Sequence, residues 1–469
     1  MSRTLMIYDV KQHHHDIAAI REHMNLAPLA PETSAGQRDM LSMWGAEKEA
    51  FYERIFWNPD RLAKWKLARL STLVDFAFRT SPFYRRLYKT VGYAAGGIRS
   101  YDDFEQLPVI TKDDVIANFP DGMPSDAHAL AECRWMSTSG SSGKQIQIVL
   151  PQRRADLDVL FKYRMFEFMG GFRLTPDRWL YNIHYCIWWH TSMMGQHRVF
   201  SVTQDCDAEA VLAHIARLRP VVVSAVGSYV EKLAAMGMSL RTLGVRLVST
   251  NSETTTPEER RRWSRVFDVP VRDEYSSEEL DLLAMECPHG HYHAVEDDSH
   301  LEIQIFEKGR PGRVIGTDLW NTAMPMIRYD QGDLAEWEDG DQCPCGSGFR
   351  RIKHLHGRAD QAFFSRINGI IAPASLLDAV EETLCSPHSN VREFRVIQED
   401  LDRIRLLYVP QRSNESVSSE ALLGLQGRLD ALFGHAVSLH ADALSSIPEA
   451  SSFKRRTLIN TLPSAREQT

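Results

Sequence analysis

Cysteine is scarce in this chain, with seven residues in 469. Their odd number and wide scatter, from Cys133 to Cys385, argue against a disulfide framework. No run approaches the roughly 20 uninterrupted apolar residues that cross a bilayer, so no membrane partner is expected. An excess of basic charge is also missing: the net charge of -8 disfavours a general nucleic-acid binder. The opening residues Met1-Ser2-Arg3-Thr4-Leu5-Met6 run into Tyr8, Asp9 and His13-His14-His15-Asp16, which interrupt the apolar core an export signal needs. A cytoplasmic protein is therefore expected. Three adjacent histidines point in different directions on any regular element, so a solvated tip is expected there rather than a metal site. There is no internal repeat and no long low-complexity tract.

What is present is an ordinary globular composition, 43% hydrophobic and 25% charged. The length predicts two or three domains rather than one core. Residues 1–45 read as a peripheral extension, because Pro28, Pro31, Ser34 and Gly36 break any periodicity. From Pro59 to Val91 apolar residues recur at three- and four-residue intervals, a helical pattern broken at Ser81-Pro82. Strand-like Gln145 to Leu150 is followed by helical Asp156 to Met169. The apolar run in Arg219 to Val226, helix Tyr229 to Met236, strand Val245 to Ser249 and helix Pro257 to Phe267 then alternate, which predicts parallel strands covered on both faces. Past Gly357, strands Glu393 to Ile397 and Arg403 to Val409 with helices Ala374 to Leu384 and Ser419 to Phe433 predict a small α+β unit.

The most informative segment is Ser137-Thr138-Ser139-Gly140-Ser141-Ser142-Gly143-Lys144. Glycines let a backbone close around an anion, hydroxyls and N–H groups donate to phosphate oxygens, and lysine adds positive charge. Two residues separate Gly140 from Gly143-Lys144, where the Walker spacing needs four, so a different ATP-handling loop is implied. Further motifs follow in order: Asp273-Glu274-Tyr275-Ser276-Ser277-Glu278-Glu279, then Ile327-Arg328-Tyr329-Asp330-Gln331-Gly332-Asp333. After these come His356-Gly357-Arg358-Ala359-Asp360, Arg366-Ile367-Asn368-Gly369, and finally Ile447-Pro448 with Lys454-Arg455-Arg456.

This series resembles the adenylate-forming superfamily of acyl- and aryl-CoA synthetases and adenylation domains. Ser81-Pro82-Phe83-Tyr84 and Leu107-Pro108-Val109-Ile110-Thr111-Lys112 resemble its phenylacetate–CoA ligase and coenzyme F390 synthetase branch. The resemblance runs from about residue 55 to the end of the chain. It implies an α/β fold: a large domain over 46–357 with mostly parallel sheets flanked by helices, and a small mobile α+β lid over 358–469. It implies ATP-dependent activation of a carboxylate, with aromatic acids expected, through an acyl adenylate with loss of pyrophosphate and then a thioester with coenzyme A. Lys144 and Lys454 would be catalytic, the first neutralising phosphates, the second reaching the carboxylate and α-phosphate. Ser137, Thr138, Ser139, Gly140, Ser141, Ser142 and Gly143 would hold phosphates, with Ser252, Glu253 and Ser276 also at the nucleotide. Tyr275 would stack on adenine, Asp333 would accept from the ribose hydroxyls, and Arg358 would complete the site. Asp360 matches the hinge of the lid. Glu279 is assigned to Mg²⁺, and a one-residue shift would choose Glu278. The sequence departs from the superfamily at Ser276 and Phe453, where glycine is usual, at Glu278, where Thr or Ser is usual, and at Asn251-Ser252, where Gly-Ala is frequent.

Cys287-Pro288-His289-Gly290-His291-Tyr292-His293 and Cys343-Pro344-Cys345 have the composition of a zinc site. Resemblance to the same branch favours Cys287, His293, Cys343 and Cys345 as ligands of a structural Zn²⁺, with His289 or His291 as substitutes for His293. The other cysteines, Cys133, Cys186, Cys206 and Cys385, are expected to be small core residues. Tyr181, His184, Tyr185, Trp188, Trp189 and His190 fall where the superfamily places its acyl pocket. The partners expected are a small carboxylic acid, ATP and CoA, with a homodimer left open. Two other readings stand beside this one: transfer to an amine, a carrier-protein thiol or another non-CoA acceptor, and a nucleotide-binding relative without catalysis.

Overall fold

The computed structural model describes residues 34–138, 145–305, 311–340, 342–384, 389–412, 415–447 and 457–462. Several helices start where the sequence gives a side chain able to cap them. Thr111 and Thr256 each form a capping box, with Asp114 and Glu259, at the heads of Lys112–Asn118 and Pro257–Phe267. Asn58 caps Pro59–Thr80 through the Asp60 amide at 2.8 Å, and Ser81 caps Pro82–Thr90. The helical pattern expected over Pro59 to Val91 is thus two helices, separated at Ser81.

Among the described residues, eleven strands form one sheet. Five of them pair in parallel: Arg198–Thr203, Trp179–His184, Val222–Val226, Leu247–Asn251 and Val271–Ser277. Side chains alternate across this half. Leu180, Val222 and Leu247 share a core with helix Gln152–Gly170. Their neighbours Tyr181, Val223 and Val248 share a core with helices Ala208–Leu218, Gly227–Ala235 and Pro257–Phe267. Both faces are therefore covered, which is why these strands read as apolar runs. Beyond Val271–Ser277 the sheet continues with antiparallel strands Asp281–Glu286, Tyr292–Ala294, Arg351–Arg358, Tyr329–Trp337, Gly312–Asp318 and Ser299–Gln304.

The expectation that residues up to 45 are peripheral does not hold from Ser34 onward. Helix Ser34–Arg54 begins there and buries Met40, Trp44 and Phe51 against helix Gln152–Gly170. Each such side chain contributes roughly 1.5–3 kcal/mol when fully buried. The triple histidine lies outside the described residues. At the other end, four strands in the order Ser438–Ala443, Arg403–Pro410, Val391–Asp400, Leu458–Asn460 form a separate sheet. Helices Pro373–Leu384 and Ser419–Phe433 close over it, and it has its own core from Phe363 to Leu458. Thr256 at the head of helix Pro257–Phe267 donates to Glu381 of Pro373–Leu384, joining the two sheets' surroundings.

Candidate active site

The parallel strands Trp179–His184, Val222–Val226, Leu247–Asn251 and Val271–Ser277 lead at their carboxyl ends into a cleft of about 1040 Å³. An open α/β sheet offers ligand sites at that edge, where the loops diverge.

One side of the cleft gathers three residues that the sequence assigned to nucleotide. Strands Tyr329–Trp337 and Arg351–Arg358 set Asp333 opposite Arg358 in register, with Arg358 Nη1 3.5 Å from Asp333 Oδ1. Gly332 allows this approach: its φ is +73°, and a Cβ there would lie 3.2 Å from Arg358 Nη2. Arg358 also donates to the Gln331 carbonyl at 2.8 Å, and Asp360 lies 3.8 Å from its Nε. From strand Val271–Ser277, Tyr275 donates its hydroxyl to Asp333 Oδ2 at 2.6 Å. Burial and then the Asp333 charge push this phenol well above its ordinary pKa, so it remains a donor. Ser276 donates to Glu274 at 3.0 Å. Glu279 accepts from Tyr329 at 3.2 Å and is among the acids acting on Arg358. Glu278 points elsewhere and accepts from Tyr185 at 2.5 Å.

The Ser/Gly-rich segment enters the cleft at Ser137 and Thr138, which line it. Strands Arg134–Ser137 and Gln147–Leu150 pair antiparallel. Thr138 and Ile146 then bond each other twice, at 3.0 and 3.1 Å. Ser139, Gly140, Ser141, Ser142, Gly143 and Lys144 lie outside the described residues, as does Lys454. Lys112 lines the same cleft. Burial lowers its pKa, and Glu279 opposes the shift. The sequence phrase around Lys112 carried a resemblance but no role.

The far side of the cleft is formed by His184, Tyr185, Trp188 and Trp189. Tyr181 and His190 were expected with them but are fully buried. Tyr181 bonds His214 at 2.9 Å, and Tyr163 bonds His190 at 2.8 Å. Ser252 faces the cleft in a left-handed conformation, φ 63°, with its Oγ 2.8 Å from His184 Nε2. Glu253 accepts from the Ser228 amide at 2.6 Å and its hydroxyl at 3.1 Å, an anion at the head of helix Gly227–Ala235. Two charged residues on helix Gln152–Gly170 reach the floor. Lys162 meets Glu274 at 2.6 Å, and Arg154 meets Asp281, Asp298 and Asp318 at 2.9, 3.1 and 2.9 Å. Nothing in the sequence marked these pairs, because 112 to 164 positions separate the bonded partners Lys162–Glu274 and Arg154–Asp318.

The predicted Cys/His group comes together away from this cleft. The ligand atoms of Cys287, His293, Cys343 and Cys345 all lie within 4.8 Å of one another. Cys287 Sγ is 3.7 Å from Cys343 Sγ, close to the roughly 3.8 Å that two thiolates span across a tetrahedral zinc. Cys345 Sγ is 3.4 Å from His293 Nε2. His293 Nδ1 lies 3.0 Å from the Phe349 carbonyl, which fixes the tautomer that leaves Nε2 as ligand. Of the two substitutes, His291 Nδ1 is 3.2 Å from Cys343 Sγ, while His289 is exposed. The expectation of core positions for the other cysteines holds in part where it can be read, since Cys133 and Cys206 pack against hydrophobic cores. Cys133 and Cys206 are half-buried and Cys186 is exposed, its residue lining the cleft. Cys385 lies outside the described residues.

No protein-family model matches the chain. It is 23% identical over 415 residues to Protein CapK of Staphylococcus aureus, covering 84% of this chain and 88% of that one. It is 26% identical over 332 residues to the phenylacetate-coenzyme A ligase of Thermus thermophilus, covering 66% and 72%. Among solved structures, 2-hydroxyisobutyryl-CoA ligase in its postadenylation state matches with a TM-score of 0.72 at 20% identity, over 87% of this chain and 91% of that one. The chain has the fold of this adenylate-forming ligase. Its adenylate-forming fold overlaps less well with the open form of that ligase, TM-score 0.61, and with its thioesterification form, 0.57.

Proposed function

We propose that this adenylate-forming chain activates a carboxylic acid with ATP, releases pyrophosphate, and passes the acyl group from the adenylate to coenzyme A. The observation that carries this reading is the Tyr275–Asp333–Arg358 group, set in one cleft with the neck of the Ser137–Lys144 segment. The sequence similarity to phenylacetate-coenzyme A ligases supports the reaction. The likeness in fold to a ligase solved with an acyl-AMP supports the order of its steps.

In this reading the Tyr275 ring packs on adenine while its hydroxyl orients Asp333, and Asp333 accepts from the ribose hydroxyls. Ser137, Thr138 and the residues to Lys144 take the phosphates, with Ser252, Glu253 and Ser276 near the nucleotide. Two anions, the acid's carboxylate and the α-phosphate, must approach each other. Arg358 and the lysines supply the positive field that makes this possible, and such preorganised charge commonly contributes on the order of 3 kcal/mol or more. Glu279, on the Asp333 side of the cleft, is the Mg²⁺ ligand; the ion neutralises phosphate charge when bound. Lys454, carried by the C-terminal unit, reaches the reacting carboxylate. That unit, residues 358–469, acts as a lid on the body 46–357, turning at Asp360 between the two half-reactions. Cys287, His293, Cys343 and Cys345 hold a structural zinc with no open position for water. Three reduced thiols fit a reducing, cytoplasmic setting.

The test is ATP–pyrophosphate exchange over a panel of aryl and aliphatic acids, followed by thioester formation with and without CoA. Acid-dependent exchange supports the reading, and exchange with no acid sinks it. Replacing Lys454 by alanine is expected to cut exchange by roughly a hundredfold while ATP affinity stays within about threefold; near wild-type exchange would remove that residue from the mechanism.

A further inference from the structure

Two of the places where this sequence departs from its superfamily are tied to two consecutive residues. Glu278 stands where a small hydroxyl residue is usual, and it accepts from Tyr185 at 2.5 Å. Ser252 stands where a small apolar residue is frequent, and its Oγ lies 2.8 Å from Nε2 of His184. His184 ends strand Trp179–His184, which in the sheet order is separated from Val271–Ser277 by two strands. These contacts therefore draw the chain at 184–185 across the carboxyl ends of Val222–Val226 and Leu247–Asn251, so that all four residues face one cleft. Ser252 adopts φ 63°, a conformation that non-glycine residues seldom take.

This wall is rich in acceptors. An ionised carboxylate has about four lone-pair positions, and Tyr185 fills one of those on Glu278. The Ser252 hydroxyl oxygen, held by His184, lies on the same wall. Trp188 and Trp189 form the apolar remainder, with the Arg134 guanidinium 3.9 Å from the Trp189 ring. An acid with a wholly apolar skeleton would desolvate Glu278 and return no hydrogen bond.

We infer that the acid activated here carries a hydrogen-bond donor, a hydroxyl or an amine, on its carbon skeleton, and that Glu278, oriented by Tyr185, receives it. Glu278 is then a specificity-determining residue, with the Ser252–His184 pair beside it. The inference rests on the proposed carboxylate activation and deepens it by naming the class of acid.

The experiment is ATP–pyrophosphate exchange with matched acids: phenylacetate, mandelate, 4-hydroxyphenylacetate, phenylglycine and 4-aminophenylacetate. Each is run with wild type, Glu278→Ser and Glu278→Gln, every variant first checked for a wild-type melting curve. For wild type, at least one donor-bearing acid is expected to exceed phenylacetate by roughly tenfold or more in kcat/KM, since a site built around a polar partner rejects the analogue lacking it. In Glu278→Ser that preference should shrink to within about threefold. Glu278→Gln distinguishes the two donors: its amide oxygen still accepts from a hydroxyl but offers no charge to an ammonium. Phenylacetate turned over as well as every donor-bearing acid, or a preference unchanged in Glu278→Ser, would overturn the inference while leaving acid activation standing. Exchange with no acid at all would overturn both.

Discussion

Tyr275 ties its strand to Asp333 through a single hydroxyl. Its bond to Asp333 at 2.6 Å occupies one carboxylate oxygen, and the other lies 3.5 Å from Arg358. Phenylalanine at 275 keeps the ring and removes the donor. The KM for ATP in exchange is then expected to rise roughly tenfold or more, the scale of one hydrogen bond to a charged group, with kcat within about twofold. A kcat loss without a KM change would assign Tyr275 to the chemical step instead. Buried histidines give a second residue-scale expectation. Burial lowers His214 to about 4, with Arg217 adding to it. The unfolded value is near 6.5, so between pH 6.5 and 4 the unfolded chain binds a proton that the folded chain refuses. The stability from keeping His214 neutral is full above that window and is lost as pH falls through it. Asp273, raised by burial to about 6, works the other way, so the whole protein's pH profile mixes both signs. The readable quantity is a difference. The stability gap between wild type and His214→Gln should narrow by roughly 1–2 kcal/mol from pH 7 to pH 4.5, measured by denaturant titration at each pH. A gap that is constant or widens would contradict it. At this scale the sequence disclosed Asp333, Arg358 and Tyr275 because motif order carries them. It disclosed neither the Arg154 cluster nor Lys162–Glu274, because long-range ion pairing leaves no local pattern.

Elements were legible where local chemistry decided them. Helix Pro257–Phe267 has the bounds the sequence predicted, set by Thr256, Pro257 and Glu259 at its head and by the left-handed Asp268 that ends it. The three-residue strands Tyr292–Ala294 and Phe363–Ser365 were not legible, since so short a run has no period to detect. Helix Ser34–Arg54 was missed because only its tertiary partner explains it. Its carboxyl end anchors the cysteine loop: Gly348 donates to the Ile55 carbonyl at 2.8 Å, and Ser347 donates to the same oxygen at 3.3 Å. A Cβ at Gly348 would lie 1.9 Å from the Trp57 carbonyl oxygen, a distance only backbone movement can relieve. Gly348→Ala should therefore push the 343–349 loop off the helix and separate Cys343 and Cys345 from Cys287 and His293. The expected result is zinc falling from about one to well under one per chain, with a lower melting temperature. Full zinc content in the variant would show that the loop is held from elsewhere.

For the molecule as a whole, the question is what holds the C-terminal unit where it stands. The overlap with the 2-hydroxyisobutyryl-CoA ligase forms is best for the postadenylation state, and Thr457, Leu458 and Phe394 of the unit line the cleft. Only an interaction present in one arrangement and absent from the other can shift the balance between them. Thr256 and Glu381 form such a contact, joining the N-terminal end of a body helix to a helix of the unit. Thr256 also caps its own helix, so the partner to change is Glu381. Alanine there leaves the cap intact and removes about 1 kcal/mol from this arrangement, roughly a fivefold change in its share of the population. If the unit turns between half-reactions, exchange should slow by about two- to fivefold in Glu381→Ala. Thioester formation from preformed acyl adenylate should hold or rise, because it no longer has to break that bond. Single-turnover measurement of each half-reaction separates the two. Equal slowing of both would mean that the contact merely stabilises the protein, and that the lid does not swing about this edge.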